Sequence, residues 1–342
     1  MLEQSYSTVS HLSVPMTTTD VEEVHTTGRY TMTSSSSSSS YGAEFYFQSA
    51  VVVIGIVGAA ANALIIYAMI VSKQHKKQLL IFNQNVFDLC SSLLLIIVFT
   101  LKLCNIHLTG VLGYWLCMIL LSENILWASI TASVINLMSI TVERYLKVVH
   151  PSWSTKWIRK WVEWSAVAFA WIAGTVYNMT LVLLTSNVVD GVCYSYVFWK
   201  SRLAAIVHGI WNFISLNVVV IFVFIFCYGR ILAVIRRQAR VMAGHSGPGS
   251  SSTHTQSHQI QTNVIKTMII VSAFYVITWV PCNVYFLLVN INANLTLIDI
   301  YYYVSLFFAF FYICANPFIY ATKFEPVKRI LVGLIPCVMP QQ

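Results

Sequence analysis

Seven separate stretches of the chain are each apolar enough, and long enough, to cross about 30 Å of hydrocarbon, a task that takes roughly 20 helical residues. They fall near residues 46–71, 79–103, 114–146, 162–186, 205–235, 263–289 and 300–322. Inside hydrocarbon no water is present to bond exposed backbone N–H and C=O groups, so only helices and closed barrels span a membrane, and these stretches are far longer than barrel strands of about 10 residues. The expected fold is therefore an all-α, seven-transmembrane-helix bundle. A composition of 57% apolar and 9% charged residues is not that of a soluble domain. The third, fifth and sixth stretches exceed the bilayer requirement and are expected to tilt or to project from it. No internal repeat is visible, which disfavours transporters built from inverted repeats.

The segments outside the spans divide the chain into three parts. Residues 1–44 are rich in Ser and Thr, include the run Ser34 to Ser40, and hold few large apolar side chains, so a disordered tail is expected there. This tail has no apolar segment behind a basic start, so the first span is expected to act as its own insertion signal. Residues 45–323 form the seven-helix domain, with a flexible loop expected at about 241–260 around Gly244, Gly247, Pro248 and Gly249. Residues 324–342 form a juxtamembrane segment and short tail. From Phe324 to Ile335 that segment sets Lys328 and Arg329 beside Val327, Ile330, Leu331 and Leu334, a pattern suited to a helix lying on lipid.

The net charge of +8 could point to nucleic acid, but the basic residues lie between apolar spans and not along a soluble face. They report orientation instead. With the N-terminus outside, sixteen Lys and Arg fall on the cytoplasmic side, and only Arg29, Lys102, Lys200 and Arg202 fall outside.

Charges in a bilayer cost at least a few kcal/mol each, so Asp88, Glu123 and Glu143 need partners or a purpose. Glu143 begins the triplet Glu143-Arg144-Tyr145 at the inner end of the third span, and the seventh span ends Asn316-Pro317-Phe318-Ile319-Tyr320. With both motifs on those helices, the chain resembles the rhodopsin-like (class A) G-protein-coupled receptors. Asn62, Asp88, Trp171 and Trp279-Val280-Pro281 also match family landmarks, and the resemblance covers residues 46 to 337. It implies a receptor that binds an extracellular ligand, activates a heterotrimeric G protein and resides in the plasma membrane. Arg144 is then held at rest and released on activation toward the G protein, Tyr228 and Tyr320. Pro281 and Pro317 each remove a backbone hydrogen bond, so they should kink the sixth and seventh spans.

The resemblance implies further sites. Asp88, Ser133 and Asn316 match the positions that ligate a sodium ion, although Tyr312 stands where the family often has Asn. Oxygen ligands suit such a hard cation. A disulfide is implied between Cys193 and the top of the third span. Cys117 is its expected partner despite lying 27 residues before Arg144, two more than is usual, and Cys104 is the rival. Val220 replaces the usual proline of the fifth span, and Tyr275 replaces a usual Phe of the sixth. Glu123, Trp127, His208, Asn212, Trp279, Asn283 and Tyr302 are the expected walls of a ligand pocket. Leu126 occupies the position of the Asp in amine receptors, which disfavours an amine unless Glu123 substitutes for it. Phe310 occupies the position of the retinal lysine, which excludes retinal attachment.

Asn294 begins a glycosylation sequon in the third outer loop, whereas the sequon at Asn178 is expected to lie within the fourth span. Cys337 is placed for palmitoylation. Arrestin and a receptor kinase are expected partners through hydroxyls of the third inner loop, among them Ser246, Ser250 and Thr253. The sequence carries no zinc-protease, phosphate-loop or nucleophile-elbow pattern, so no enzyme and no cofactor beyond sodium are expected. The alternatives are a seven-helix transporter, which would want a relay of carboxylates, and a receptor-like interaction protein that couples poorly.

Overall fold

The computed structural model describes residues 37–196, 198–244, 252–292, 295, 297, 299–323 and 325–333. Seven helical segments among them are long and apolar enough to cross a membrane. The first span is α1 (Ser37–Val71), joined by the single turn α2 (Gln74–Lys77) to α3 (Leu79–Leu103), the second. The third span is composite: α4 (Gly110–Leu116), a wide turn at Cys117–Leu121, and α5 (Asn124–Val149). A short α6 (Pro151–Trp157) leads to α7 (Lys160–Thr185), the fourth span, followed by strands β1 (Asn187–Val189) and β2 (Val192–Tyr194). The fifth span comprises α8 (Arg202–Phe213), a second wide turn at Ile214–Val218, and α9 (Val219–Gly244). The sixth and seventh are α10 (Ser252–Ile291) and α11 (Ile300–Lys323), and α12 (Glu325–Gly333) follows.

Three boundaries differ from the sequence expectation. Helix α1 starts at Ser37 and not after residue 44, with Gln48 Nε2 donating to Glu44 Oε1 at 2.9 Å along its first turns. Helices α9 and α10 likewise continue into the expected loop at 241–260, to Gly244 and from Ser252. The cause is common to all three: hydropathy marks where an apolar environment ends, whereas backbone hydrogen bonds carry a helix through polar residues beyond it.

The third span runs through the core. Its apolar window is 67% buried, against 28% for the fourth and fifth spans. The fourth packs against it through Gly174, where an added Cβ would stand 2.6 Å from the Ala128 carbonyl oxygen and 2.9 Å from the Ala132 nitrogen. Small residues at such a crossing bring two helices into backbone contact, the usual source of adhesion where lipid and side chain are equally apolar.

At one end of the bundle, β1 and β2 pair antiparallel with Val188 opposite Cys193. Asp190 (φ 51°) and Gly191 (φ 76°) make the left-handed two-residue turn between them. Leu108 N–H donates to the Gly191 carbonyl at 2.9 Å, and a Cβ on Gly191 would collide with the His107 ring. Cys117 and Cys193 form a disulfide, with Cα atoms 5.4 Å apart, and Cys104 is free and exposed. The hairpin is thereby fastened to the third span at what we call the disulfide end. The opposite end carries Arg144.

Candidate functional site

At the arginine end, Glu143 is buried and shared. Its Oε2 lies 3.6 Å from Arg144 Nη2, while Lys147, one turn along, pairs directly with Oε1. Lys147 also reaches Glu163 Oε1 of α7 at 3.8 Å, and Lys160 binds Glu163 Oε2 at 2.8 Å. Alternating charges thus tie the third span to the fourth, and Arg144 receives only the remainder. Its Nη2 donates to Gln78 Oε1 at 3.3 Å, and its Nε is buried without a hydrogen-bond partner. Tyr145 packs against Phe226 and His150. The two tyrosines expected to meet Arg144 are both buried. Tyr228 Oη bonds Thr141 and Ser272, and Tyr320 Oη has no hydrogen-bond partner.

Midway along the bundle, Ser133 and Asn316 both bond Asp88. Ser133 Oγ donates to Asp88 Oδ1 at 3.0 Å, and Asn316 Nδ2 donates to Oδ2 at 3.0 Å. Gln84 is an additional member, one turn before Asp88, with Nε2 donating to Asp88 Oδ1 at 3.3 Å and contacting Ser133. Its orientation is set by Asn136, whose Nδ2 donates to both the Leu80 carbonyl and Gln84 Oε1 and whose Oδ1 accepts from Asn83. A chain of amides with one consistent direction leaves the Gln84 donor facing the carboxylate. A small cavity beside Asp88 is lined by Ser91, Ser133, Trp279 and Tyr312 among others. Tyr312 Oη and Asn316 Oδ1 are buried with no close hydrogen-bond partner, so oxygen atoms of the kind a hard cation takes are present.

Tyr275, the departure in the sixth span, reaches the fifth. Tyr275 Oη donates to the Leu216 carbonyl, inside the wide turn Ile214–Val218, at 2.8 Å. A wide turn leaves carbonyls poorly paired within the helix. The phenol satisfies one of them and ties the sixth span to the fifth. Tyr275 also stacks on Trp279, with ring centroids 6.1 Å apart, two residues before Pro281 inside α10. Pro317 likewise lies inside α11.

At the disulfide end, the expected pocket residues separate into groups. Glu123, Trp127 and Trp279 belong together. Glu123 pairs with Lys102 of α3, Trp127 Nε1 donates to Glu123 Oε2 at 3.0 Å, and the Trp127 ring meets Trp279 edge-on at 6.2 Å. Glu123 has φ 60°, in the left-handed region, where the composite third span resumes as α5. Tyr302, at the start of α11, lies against Tyr285 with ring centroids 5.7 Å apart. His208 sits apart, among Trp199 (5.4 Å), Phe286 (6.2 Å) and Tyr177 (6.5 Å). Asn212 accepts from Tyr177 Oη at 3.0 Å, and Asn283 donates to Asn217 Oδ1 at 3.2 Å. The amides of Asn212 and Asn283 therefore serve neighbouring helices, because an amide in an apolar span needs a partner more than a pocket does.

Gln84, Lys102, Lys147, Glu163 and Tyr177 complete these networks without belonging to any motif. A signal existed for Gln84, which lies four residues, one helical turn, before Asp88. Asn178 donates to Thr131 and to the Gly174 carbonyl within the fourth span, as its buried position required. Asn294 and Cys337 lie outside the described residues.

Comparison with known proteins agrees with this geometry. The rat somatostatin receptor type 5 is 25% identical over 278 residues, covering 77% of this chain and 70% of the receptor. The rat G-protein coupled receptor 3 is 26% identical over 228 residues, covering 64% and 63%. A crystal structure of squid rhodopsin shares the fold with a TM-score of 0.71, at 16% identity and over 88% of this chain and 89% of that one. The sequence profile of the 7 transmembrane receptor (rhodopsin family) matches residues 61–320, and the chain belongs to that family of receptors.

Proposed function

We propose that the protein is a plasma-membrane receptor with its N-terminus outside, which binds an extracellular ligand at the disulfide end and activates a heterotrimeric G protein at the arginine end. The observation that carries this reading is the state of Arg144. It is a cation only 14% exposed, with one hydrogen bond, a 3.6 Å approach to Glu143 and a buried, unpartnered Nε, placed where the third span meets the proposed cytoplasmic face. Such a group gains by moving to new acceptors, and binding there favours the conformation that supplies them. Exchange activity belongs to the G protein, and the receptor acts by shifting between conformations.

Asp88, Ser133 and Asn316 would hold a sodium ion, which would neutralise the buried carboxylate of Asp88. A glycan on Asn294, an acyl chain on Cys337, and recruitment of receptor kinase and arrestin through the third inner loop complete the reading.

The test is nucleotide exchange on purified G proteins by the full chain in lipid nanodiscs. Wild type should accelerate exchange on at least one G-protein class. Arg144→Ala should fall to the receptor-free rate with unchanged yield of folded protein. Failure to accelerate any class, or full activity in Arg144→Ala, would refute the proposal.

A further inference from the structure

Lys102 stands in the last turn of α3 and extends to Glu123 across the break in the third span. Its Nζ pairs with Glu123 Oε1 and lies 5.3 Å from the centroid of the Phe99 ring. Trp127 Nε1 takes the second carboxylate oxygen. The two charged side chains are only 28% and 15% exposed, so this is a partly desolvated pair and not a surface contact. A carboxylate with an aromatic face across the same cation is the chemistry that recognises a primary ammonium. Here the chain supplies the ammonium itself.

The backbone is arranged around this pair at some cost. Glu123 (φ 60°) and Tyr196 (φ 63°), in the loop after β2, are both non-glycine residues in the left-handed region. Burial, and then the nearby Glu123 carboxylate, push the Tyr196 phenol well above its usual range. Strained residues persist where surrounding contacts hold them, and they collect at functional sites. The ion pair also has a route to the switch, because Trp127 lies against Trp279 and Phe310 at 6.2 and 6.0 Å.

We propose that Glu123, Trp127 and Phe99 form a primary-ammonium subsite that Lys102 fills in cis. The wild-type pocket therefore turns away cationic amines and accepts ligands that carry no positive charge at this point. Both Glu123 oxygens are engaged, and a second cation would meet the Lys102 charge. Removing Lys102 opens the subsite to small primary ammonium ions. The inference rests on the reading of the disulfide end as the ligand site.

The experiment is a thermal-unfolding series on the purified full chain in nanodiscs. Wild type, Lys102→Ala and Lys102→Ala/Glu123→Gln are titrated with n-propylammonium and n-butylammonium chloride, against tetramethylammonium chloride at equal ionic strength. Lys102→Ala should unfold on the order of a few degrees below wild type. Primary alkylammonium ions should restore it saturably, tetramethylammonium should not, and neither wild type nor the double variant should respond. Equal effects of the primary and quaternary ions on Lys102→Ala, or an equal response in the double variant, overturn the proposal. Should Lys102→Ala fail to fold, Lys102→Met is probed the same way with methylammonium. Nucleotide exchange is read in parallel. An intact thermal response with no exchange on any G protein refutes the receptor function and leaves the subsite standing.

Discussion

Replacing Lys147 should quieten the receptor. Glu143 is the only acid within ion-pair reach of Arg144 among the described residues, and the sequence from Arg230 to Pro281 contains no Asp or Glu that could hold Arg144 from the sixth span. Lys147 competes for that single carboxylate from one turn away and holds it directly, leaving Arg144 at 3.6 Å. Two unit charges at that separation attract by about 4.6 kcal/mol at an effective dielectric of about 20. Solvent at Lys147, whose side chain is 35% exposed, discounts the difference between the two pairings, and partly solvated pairs amount to about 1 kcal/mol net. Lys147→Gln releases Glu143 to Arg144, and about 1 kcal/mol in favour of the resting arrangement lowers the active population about fivefold. The assay is ligand-independent nucleotide exchange at matched receptor density, with Lys147→Arg expected to keep wild-type output because it preserves the competing cation. Unchanged or raised exchange in Lys147→Gln would refute the reasoning and leave Lys147 as a strut between the third and fourth spans.

Three further outcomes are expected. Tyr275→Phe removes the bond to the Leu216 carbonyl, a loss of about 1 kcal/mol between the fifth and sixth spans, and should raise basal exchange severalfold. Equal basal exchange at equal density would show that the bond survives activation. Asp88→Asn should abolish any difference in thermal stability between sodium and choline chloride. A wild type that shows no such difference contradicts the ion site. Gly174→Ala forces a methyl group against the α5 backbone and should cost about 1–3 kcal/mol, read as a lower unfolding temperature in nanodiscs. An unfolding temperature equal to wild type would mean that the fourth span can move aside freely.

The seven spans and the order of the switch motifs were legible because both are local. Length and hydropathy identify a span, and Glu143-Arg144-Tyr145 or Asn316-Pro317 declares itself within five residues. Cys117 as the partner of Cys193 followed from the resemblance and is the pairing formed, whereas residue spacing alone left Cys104 open until the hairpin placed Cys193. Partnerships between helices stayed hidden for the same reason. Nothing in the fourth span marks Glu163 as the acid that shares Lys147, and Tyr177 gives no sign that it will occupy Asn212. The break at Ser122-Glu123 left one trace, the two extra residues between Cys117 and Arg144, because the apolar residues on both sides otherwise read as one continuous helix. Hydrogen bonds made by polar residues inside the spans were hidden as well. Asn212 and Asn283 were already committed to neighbouring helices.

That break has a consequence for helical phase. Each residue turns an α-helix by about 100°, so two residues inserted into an uninterrupted third span would rotate everything on one side of them by about 200°. The wide turn at Cys117–Leu121 and the left-handed Glu123 take up the extra length locally. Cys117 still faces the hairpin, and Ser133, Glu143 and Arg144 still face the partners that the motifs require. The third span thus has two separately phased halves, one at the disulfide end and one carrying Arg144, joined through the wide turn and Glu123.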